Sequence, residues 1–142
     1  MDWHWRMPLD LGLASLALVD DRLDDARTRA TRACETASRS GERNWHALGA
    51  MTLAEALSAA GAVDASRAAM ATACELAADG RVPSAALRVW TRASHLAMAH
   101  GDTEGARRFN GELGRLTDRL AQSLAQDSRL ARSLSALSFL TS

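Results

Sequence analysis

Four histidines and two cysteines are the side chains of this sequence that suit metal binding or acid–base chemistry. They are His4, His46, His95, His100, Cys34 and Cys74. The five-residue step from His95 to His100 places the two rings on different faces of a helix, and neither cysteine has a neighbour at metal-ligand spacing. All seventeen basic residues are arginine, which removes lysine nucleophiles and Schiff bases. The residues therefore predict a chain that is not an enzyme, with no catalytic residue, no bound metal and no cofactor.

Phosphate binding is disfavoured by two features of the sequence. The run Gly111-Glu112-Leu113-Gly114 lacks the Gly-Lys-Ser ending of a phosphate loop, so we interpret its glycines as points where a neighbouring helix packs closely. Five arginines lie close together between positions 22 and 39, namely Arg22, Arg27, Arg29, Arg32 and Arg39. Because Asp25 and Glu35 stand four residues before Arg29 and Arg39, a solvated, self-paired helix surface is favoured over a phosphate-binding stripe.

Charge and hydropathy limit the partners and the location. Seventeen basic and seventeen acidic residues give no net charge, and both signs are interspersed, which argues against a nucleic-acid partner. No apolar run approaches the roughly 20 residues of a membrane helix, and the first residues lack the shape of a secretion signal. We expect no membrane association and a cytoplasmic protein. Cys34 and Cys74 are expected to be buried structural thiols that do not form a disulfide.

The sequence repeats itself with a period of forty residues. Trp5 and Trp45, Ala14 and Ala54, Ala33 and Ala73, and Cys34 and Cys74 are each forty apart, and a weaker third copy keeps the phase. Within each copy the apolar residues follow a helical period, and thirty alanines with only two prolines favour long helices. The repeat therefore predicts three copies of the same pair of helices.

Helix boundaries follow from the period and from the capping residues. The predicted first helices span 6–19, 44–60 and 83–100, and the second helices span 23–40, 63–79 and 103–125. We expect Asn44 and Asp102 to cap helices, Pro83 to occupy a first turn, and glycines such as Gly61 to end helices in a left-handed conformation. The predicted fold class is all-α: three antiparallel hairpins, at about 1–42, 43–82 and 83–126, with a capping helix at 127–142.

Small residues recur where each second helix leaves its turn. Ala26, Ser66 and Ala106 share this slot, and a bulky side chain there would separate the two helices of a hairpin. Because one hairpin cannot cover its own apolar faces, three of them are expected to stack into an α-α superhelix.

The segment Gly-Asp-Thr-Glu-Gly-Ala at 101–106 resembles the inter-helix turn of tetratricopeptide repeats, and Trp5, Trp45 and Trp90 are similar to the tryptophan position of that family. The period of forty instead of 34, Ser66 in the alanine slot and the absence of tyrosine depart from the family pattern. The chain also resembles the C-terminal arrays of large bacterial ATP-dependent or kinase-linked regulators. The resemblance implies an interaction or regulatory role without catalytic residues.

The family implies a concave face formed by the first helices, where a protein or peptide partner would bind. Aligning those helices by the period gives a mixed set of apolar anchors and orienting charges. The candidate groove residues are Leu11, Ser15, Leu48, Met51, Glu55, Arg88, Thr91, His95 and Met98. The alternative is that Leu11 and Met51 belong only to the core.

Apolar residues also crowd the N-terminal edge. Trp3, Trp5 and Met7 stand where a capping repeat would present polar residues, which indicates either an oligomer interface or the edge of a truncated array. The leading prediction is a non-catalytic scaffold that binds a protein or peptide. The alternatives are a structural homodimerisation unit and a small-molecule sensor domain of a bacterial signalling regulator.

Overall fold

The chain folds into six consecutive α-helices. The computed structural model describes residues 3–127 and residue 132, with side chains from Trp5 onward, and this part of the chain contains no β-strand. The helices are α1 (Trp3–Val19), α2 (Leu23–Ser40), α3 (Arg43–Ala59), α4 (Val63–Ala77), α5 (Pro83–Ala99) and α6 (Thr103–Gln126). The predicted all-α class and all six predicted helices are confirmed, with boundaries that differ by at most three residues. The proposed capping helix at 127–142 lies almost wholly outside the described residues.

The same turn recurs at four of the five helix junctions. Arg22, Glu42, Ala62 and Asp102 each donate a backbone hydrogen bond to the carbonyl five residues earlier, at 2.8–2.9 Å. This bond is the mark of a Schellman turn, which needs one left-handed residue. Gly61 supplies that residue between α3 and α4, with a φ of 79°, and Asp21 occupies the corresponding position between α1 and α2, with a φ of 58°.

Two of the three predicted helix starts at capping residues are confirmed. Asp102 accepts a hydrogen bond at 2.8 Å from the backbone N–H of Gly105, and Pro83 is the first residue of α5. The prediction for Asn44 is wrong, because α3 begins at Arg43 and Glu42 precedes it without a side-chain cap. Asn44 therefore lies inside the first turn, where its side chain makes no capping hydrogen bond.

The helices pack side by side in chain order. Each helix contacts the next one, α1 also contacts α3, and α3 also contacts α5. Among the described residues, no Cα atoms of α2, α4 and α6 come within 8 Å of one another. The first helices therefore form a continuous row, and the second helices lie apart along it. No helix in residues 3–127 has the length and apolar character required to span a bilayer.

Small residues allow each second helix to approach the first helix of its own hairpin closely. Ala26, Ser66 and Ala106 are 0%, 0% and 2% exposed, as their shared slot predicts. The Ser66 hydroxyl donates a 2.7 Å hydrogen bond to the carbonyl of Ala54, so its burial leaves no unpaired polar group. Helix α2 buries only alanines, namely Ala26, Ala30, Ala33 and Ala37.

The glycine that permits the closest helix approach is Gly49 in α3. A Cβ atom there would lie 2.9 Å from Sγ of Cys34 in α2 and 3.3 Å from the Cys34 backbone nitrogen. The interpretation of Gly111 and Gly114 as close-packing points is wrong, because both are exposed and a Cβ atom would meet nothing within 4 Å.

A buried carboxylate joins α1 to α2. Asp10 is 6% exposed and accepts two hydrogen bonds from the guanidinium of Arg32, at 2.9 and 3.1 Å. A second guanidinium, that of Arg29, lies 3.6 Å from the same carboxylate. The bidentate geometry satisfies both oxygens, which is the condition under which a buried charge is tolerated.

We expect Ala106→Leu to lower the free energy of unfolding by about 1–3 kcal/mol, because the larger side chain overpacks the contact between α5 and α6. Chemical denaturation of the purified chain measures this change. Ala121→Leu, at an exposed position of the same helix, is the matched control and should change stability by less than about 0.5 kcal/mol. Equal stability of the two variants would contradict the role assigned to the slot.

Candidate functional site

The predicted groove residues divide into a buried set and an accessible set. Leu11, Leu48 and Met51 are 8%, 8% and 3% exposed and belong to the main hydrophobic core. Leu11 and Met51 therefore lie in the core, as the alternative interpretation of these residues expected. Leu48 is also a core residue. The other six residues retain accessible side chains on the first helices, and we call the surface that they form the first-helix face. They are Ser15, Glu55, Arg88, Thr91, His95 and Met98.

Charged side chains of α3 and α5 meet on the first-helix face. Glu55 of α3 forms an ion pair with Nε of Arg92 at 3.2 Å, and the charges of Arg88 and His95 also act on its carboxylate. Arg88, Arg92 and His95 follow one another at helical spacing along one side of α5. The structure thus brings together three predicted residues, Glu55, Arg88 and His95, and adds Arg92, which the alignment by the period did not select.

The Glu55 carboxylate is incompletely satisfied. Its Oε1 atom is buried and accepts no hydrogen bond, although the Arg92 guanidinium lies within ion-pair distance. The 3.2 Å ion pair is not a hydrogen bond, because the N–H groups of Arg92 do not point at this oxygen. Burial raises the pKa of Glu55, and the positive charges of Arg92, Arg88 and His95 oppose that rise. This oxygen therefore lacks a hydrogen-bond donor, and a partner could reach it only if the side chains around Glu55 moved.

Met98 and Thr91 complete the α5 side of this face. Met98 is 58% exposed, which makes it an accessible apolar contact close to the basic residues. The Thr91 hydroxyl donates to the carbonyl of Leu87 at 2.7 Å, and the Ser15 hydroxyl on α1 donates to Leu11 in the same way at 2.9 Å. Both hydroxyls already use their donor within their own helix, so they present acceptors to a partner.

The N-terminal edge differs from the prediction. Met7 is 2% exposed and is a core residue. The structure therefore corrects the prediction that Met7 belongs to an oligomer interface. Trp5 is 79% exposed, and the side chain of Trp3 lies outside the described residues. The outward side of α1 carries further apolar residues that the sequence reading missed: Leu9, Leu16 and Val19 are 59%, 51% and 83% exposed. Their spacing from Trp5 follows the turns of the helix, which is the signal that identifies the stripe.

A cavity lies elsewhere, between α4, α5 and α6. Its volume is about 470 Å³, and we call it the α4–α6 cleft. Its apolar wall consists of Met70 and Cys74 of α4, Trp90, Ala93 and Leu96 of α5, and Phe109 of α6. Its rim carries Arg67, Glu75, His100, Asp102, Arg108 and Glu112. None of these residues belongs to the predicted groove.

Two aromatic rings form the apolar centre of the cleft. Trp90 and Phe109 stack with centroids 6.2 Å apart and an angle of 29° between their planes. The guanidinium carbon of Arg108 lies 5.0 Å from the centroid of Phe109, within the range of a cation–π contact. At the edge of the cleft, His100 shares a 2.8 Å hydrogen bond with the Ser58 hydroxyl of α3.

The arginines between positions 22 and 39 are largely paired within the first hairpin. Arg29 contacts Asp25 at 3.0 Å and Arg22 contacts Asp25 at 2.9 Å, while Arg32 binds Asp10. Arg39 donates to the backbone carbonyl of Glu35 and not to its carboxylate. The self-paired surface is therefore confirmed for Arg29, and the pairing expected of Arg39 with the Glu35 side chain is replaced by a backbone contact.

Neither cysteine has the environment of a reactive thiol. Both are unpaired thiols; Cys34 is half-buried and Cys74 is buried. Burial, with a smaller contribution from Glu35, raises the pKa of Cys34 to about 11. Burial also raises the pKa of Cys74 to about 12, against the opposing charge of Arg108. The thiolate that a nucleophile or metal ligand requires is thus absent at neutral pH.

Metal ligands do not converge in the part of the chain that the structure describes. Residues 3–127 contain no group of three or more histidine, cysteine, aspartate or glutamate side chains placed to hold an ion.

Comparison of the chain with protein-family models, with curated proteins and with solved structures found no match. The first-helix face, the α1 stripe and the α4–α6 cleft are the candidate functional surfaces of the described chain.

The two cysteines predict a loss of stability at alkaline pH. An unfolded thiol loses its proton near pH 8.5, whereas the folded thiols keep theirs to about pH 11 and about pH 12. Above the unfolded pKa the unfolded state binds fewer protons, so the free energy of unfolding falls as pH rises from about 8.5 to about 11. Denaturation curves across this range measure the decrease.

The control for this prediction is the Cys34→Ala/Cys74→Ala variant. The sequence contains no lysine and no tyrosine, and arginine keeps its proton in this range, so no other side chain titrates there. The variant should show a nearly flat stability between pH 9 and pH 11. An equally steep decrease in the variant would contradict the assignment to the thiols.

Proposed function

We propose that this chain is a non-catalytic interaction module that binds a peptide segment of a protein partner on its first-helix face. In this proposal the three helix pairs are tetratricopeptide-like hairpins stacked into an α-α superhelix, with residues 127–142 capping its end. The recurrence of helix starts at 23, 63 and 103, and of helix ends at 19, 59 and 99, supports the stacking. The contacts of α3 with α1 and α5 support a continuous first-helix surface.

The observation that carries the proposal is the charged cluster between α3 and α5. Arg92 pairs with the carboxylate of Glu55, and Arg88 and His95 also act on it electrostatically, so the two arginines leave the cluster with excess positive charge. Arg88 and His95 are exposed, and Met98 adds an apolar contact along the same helix. A peptide with acidic side chains next to an apolar residue complements this arrangement, and the charges would orient it along α5.

Removing two charges tests the proposal. Peptides selected from a random display library against the chain are expected to be enriched in aspartate and glutamate. The variant Arg88→Ala/Arg92→Ala should bind the selected peptides at least about tenfold more weakly, because the ionic contacts with the acidic side chains are lost. Isothermal titration calorimetry with synthetic peptides measures the affinity.

The variant Arg39→Ala/Arg107→Ala is the matched control. It removes the same charge from exposed positions of α2 and α6 and should leave the affinity within about twofold of the unmodified chain. Equal weakening by both variants would show that only net charge matters. Unchanged affinity of Arg88→Ala/Arg92→Ala would place the peptide site elsewhere.

The exposed stripe on α1 favours a second candidate function, structural self-association. Trp5, Leu9, Leu16 and Val19 present apolar side chains to solvent along one side of the helix. Of the large apolar side chains that are exposed in the described chain, only Val82, Met98 and Leu124 lie outside α1. A second copy of the chain that packs its own α1 against this stripe would cover it in a two-fold symmetric dimer.

Sedimentation equilibrium distinguishes this second function. The unmodified chain is expected to sediment as a dimer, and Leu9→Glu/Leu16→Glu as a monomer, because two carboxylates would be buried without partners. Leu124→Glu, at an exposed apolar position of α6, should remain dimeric. Circular dichroism checks that each variant keeps its helices. A monomeric unmodified chain would contradict self-association without affecting the peptide proposal.

A further inference from the structure

We propose that the α4–α6 cleft binds a small molecule that has an apolar, ring-sized body and one anionic group. This site is separate from the first-helix face, and its existence does not depend on the proposed function. Its volume of about 470 Å³ lies within the range of small-molecule pockets.

At the cleft, three residues are larger than their equivalents in the preceding copy of the repeat. The positions forty residues before Met70, Trp90 and Phe109 hold Ala30, Ala50 and Ala69. At the two positions where the third copy has stacked aromatic rings, the second copy therefore has alanines. Packing alone does not require these aromatics, because the alanines at the corresponding positions are also buried or half-buried in the core.

The same two positions in the first copy hold an ion pair. Asp10 and Arg29 stand eighty residues before Trp90 and Phe109, and their side chains lie 3.6 Å apart. One structural position therefore holds a charged pair in the first copy, alanines in the second and an aromatic pair in the third. The aromatic surface beside an open cavity is peculiar to the third copy, as expected of a site for one kind of ligand.

The cleft is short, which favours a compact ligand over a continuous peptide helix. At Gly80, after the end of α4, a Cβ atom would lie 3.8 Å from both Leu116 and Arg119 of α6, so α6 approaches the chain there. His100 and Asp102, in the turn between α5 and α6, also line the cleft. A peptide helix running along the cleft would meet these segments, whereas a molecule of one or two rings fits between them.

Two arginines favour an anionic group on that molecule. Arg67 on the α4 wall and Arg108 on the α6 wall form no ion pair among the described residues. The carboxylates on the rim are partly engaged, because Glu112 pairs with Arg115 and Asp102 caps α6. Asp102 and Glu75 keep their negative charges, so the net charge of the rim is nearly balanced, and the unpaired guanidinium groups are what an anion would contact. A carboxylate or sulfonate that contacts Arg67 or Arg108 would complement it while its apolar body contacts Trp90 and Phe109.

The test uses naphthalene-2-carboxylate as the probe and 2-naphthylmethanol as its neutral analogue. In heteronuclear NMR titrations of the full chain, the carboxylate is expected to bind saturably and to shift resonances of the residues lining the cleft. We expect the neutral analogue to bind at least about fivefold more weakly, because it lacks the ionic contacts. Arg67→Gln/Arg108→Gln should remove this difference between the two probes.

A variant that fills the cleft tests binding without changing the two arginines. Ala71 lines the cleft but is exposed, so Ala71→Trp fills the cavity without disturbing the core and is expected to abolish binding. Thr31→Trp, forty residues earlier and also exposed, is the matched control and should bind normally.

Three results would overturn the proposal. They are the absence of saturable binding, shifts scattered over the surface, and unchanged binding by Ala71→Trp. Equal affinity for the two probes would overturn the anionic part of the assignment. Because the peptide experiment alters Arg88 and Arg92 on the other helix face, failure of either proposal is recognised separately.

Discussion

The close approach of helices through small side chains is the constraint on which the rest of this structure depends. Ala26, Ser66 and Ala106 bring each second helix against its neighbour, and Gly49 lets α3 reach the backbone of α2. Close contact within and between consecutive pairs aligns the first helices into one row, because α3 then contacts both α1 and α5. The surface that carries Glu55, Arg88 and His95 exists only because that row is continuous.

The same constraint leaves space between the second helices. Since α4 and α6 each pack against α5 while their own backbones stay apart, the width of the gap between them depends on the side chains that line it. Met70, Trp90 and Phe109 line it on three sides without filling it. One packing rule thus generates two kinds of surface: a charged face on the first helices and an apolar cleft between second helices.

Much of the fold was accessible from the sequence because its determinants are local. Helix ends at Gly61 and Gly101, and starts at Pro83 and Asp102, depend on backbone conformation and on hydrogen bonds within a few residues. The prediction for Asn44 was wrong because asparagine is a common capping residue, whereas the turn at Gly41 and Glu42 starts the helix at Arg43.

The site was less accessible because exposure depends on which helices lie nearby. Apolar residues occur on nearly all sides of α1 and α3, so the sequence did not distinguish the buried Leu48 and Met51 from the exposed Leu9 and Leu16. Alignment by the period found Arg88 and His95 but passed over Arg92, whose equivalents are Gly12 and Thr52. The cleft did leave a signal, namely aromatic residues where the preceding copy has alanine.

The ion pair between Asp10 and Arg32 has a mechanical consequence for the first helix pair. The buried residues of α2 are all alanines, whose methyl groups make no directional contact. A bidentate contact has a narrow preferred geometry, and displacement by one helical turn would break both of its hydrogen bonds. The buried carboxylate therefore fixes the axial offset of α2 relative to α1.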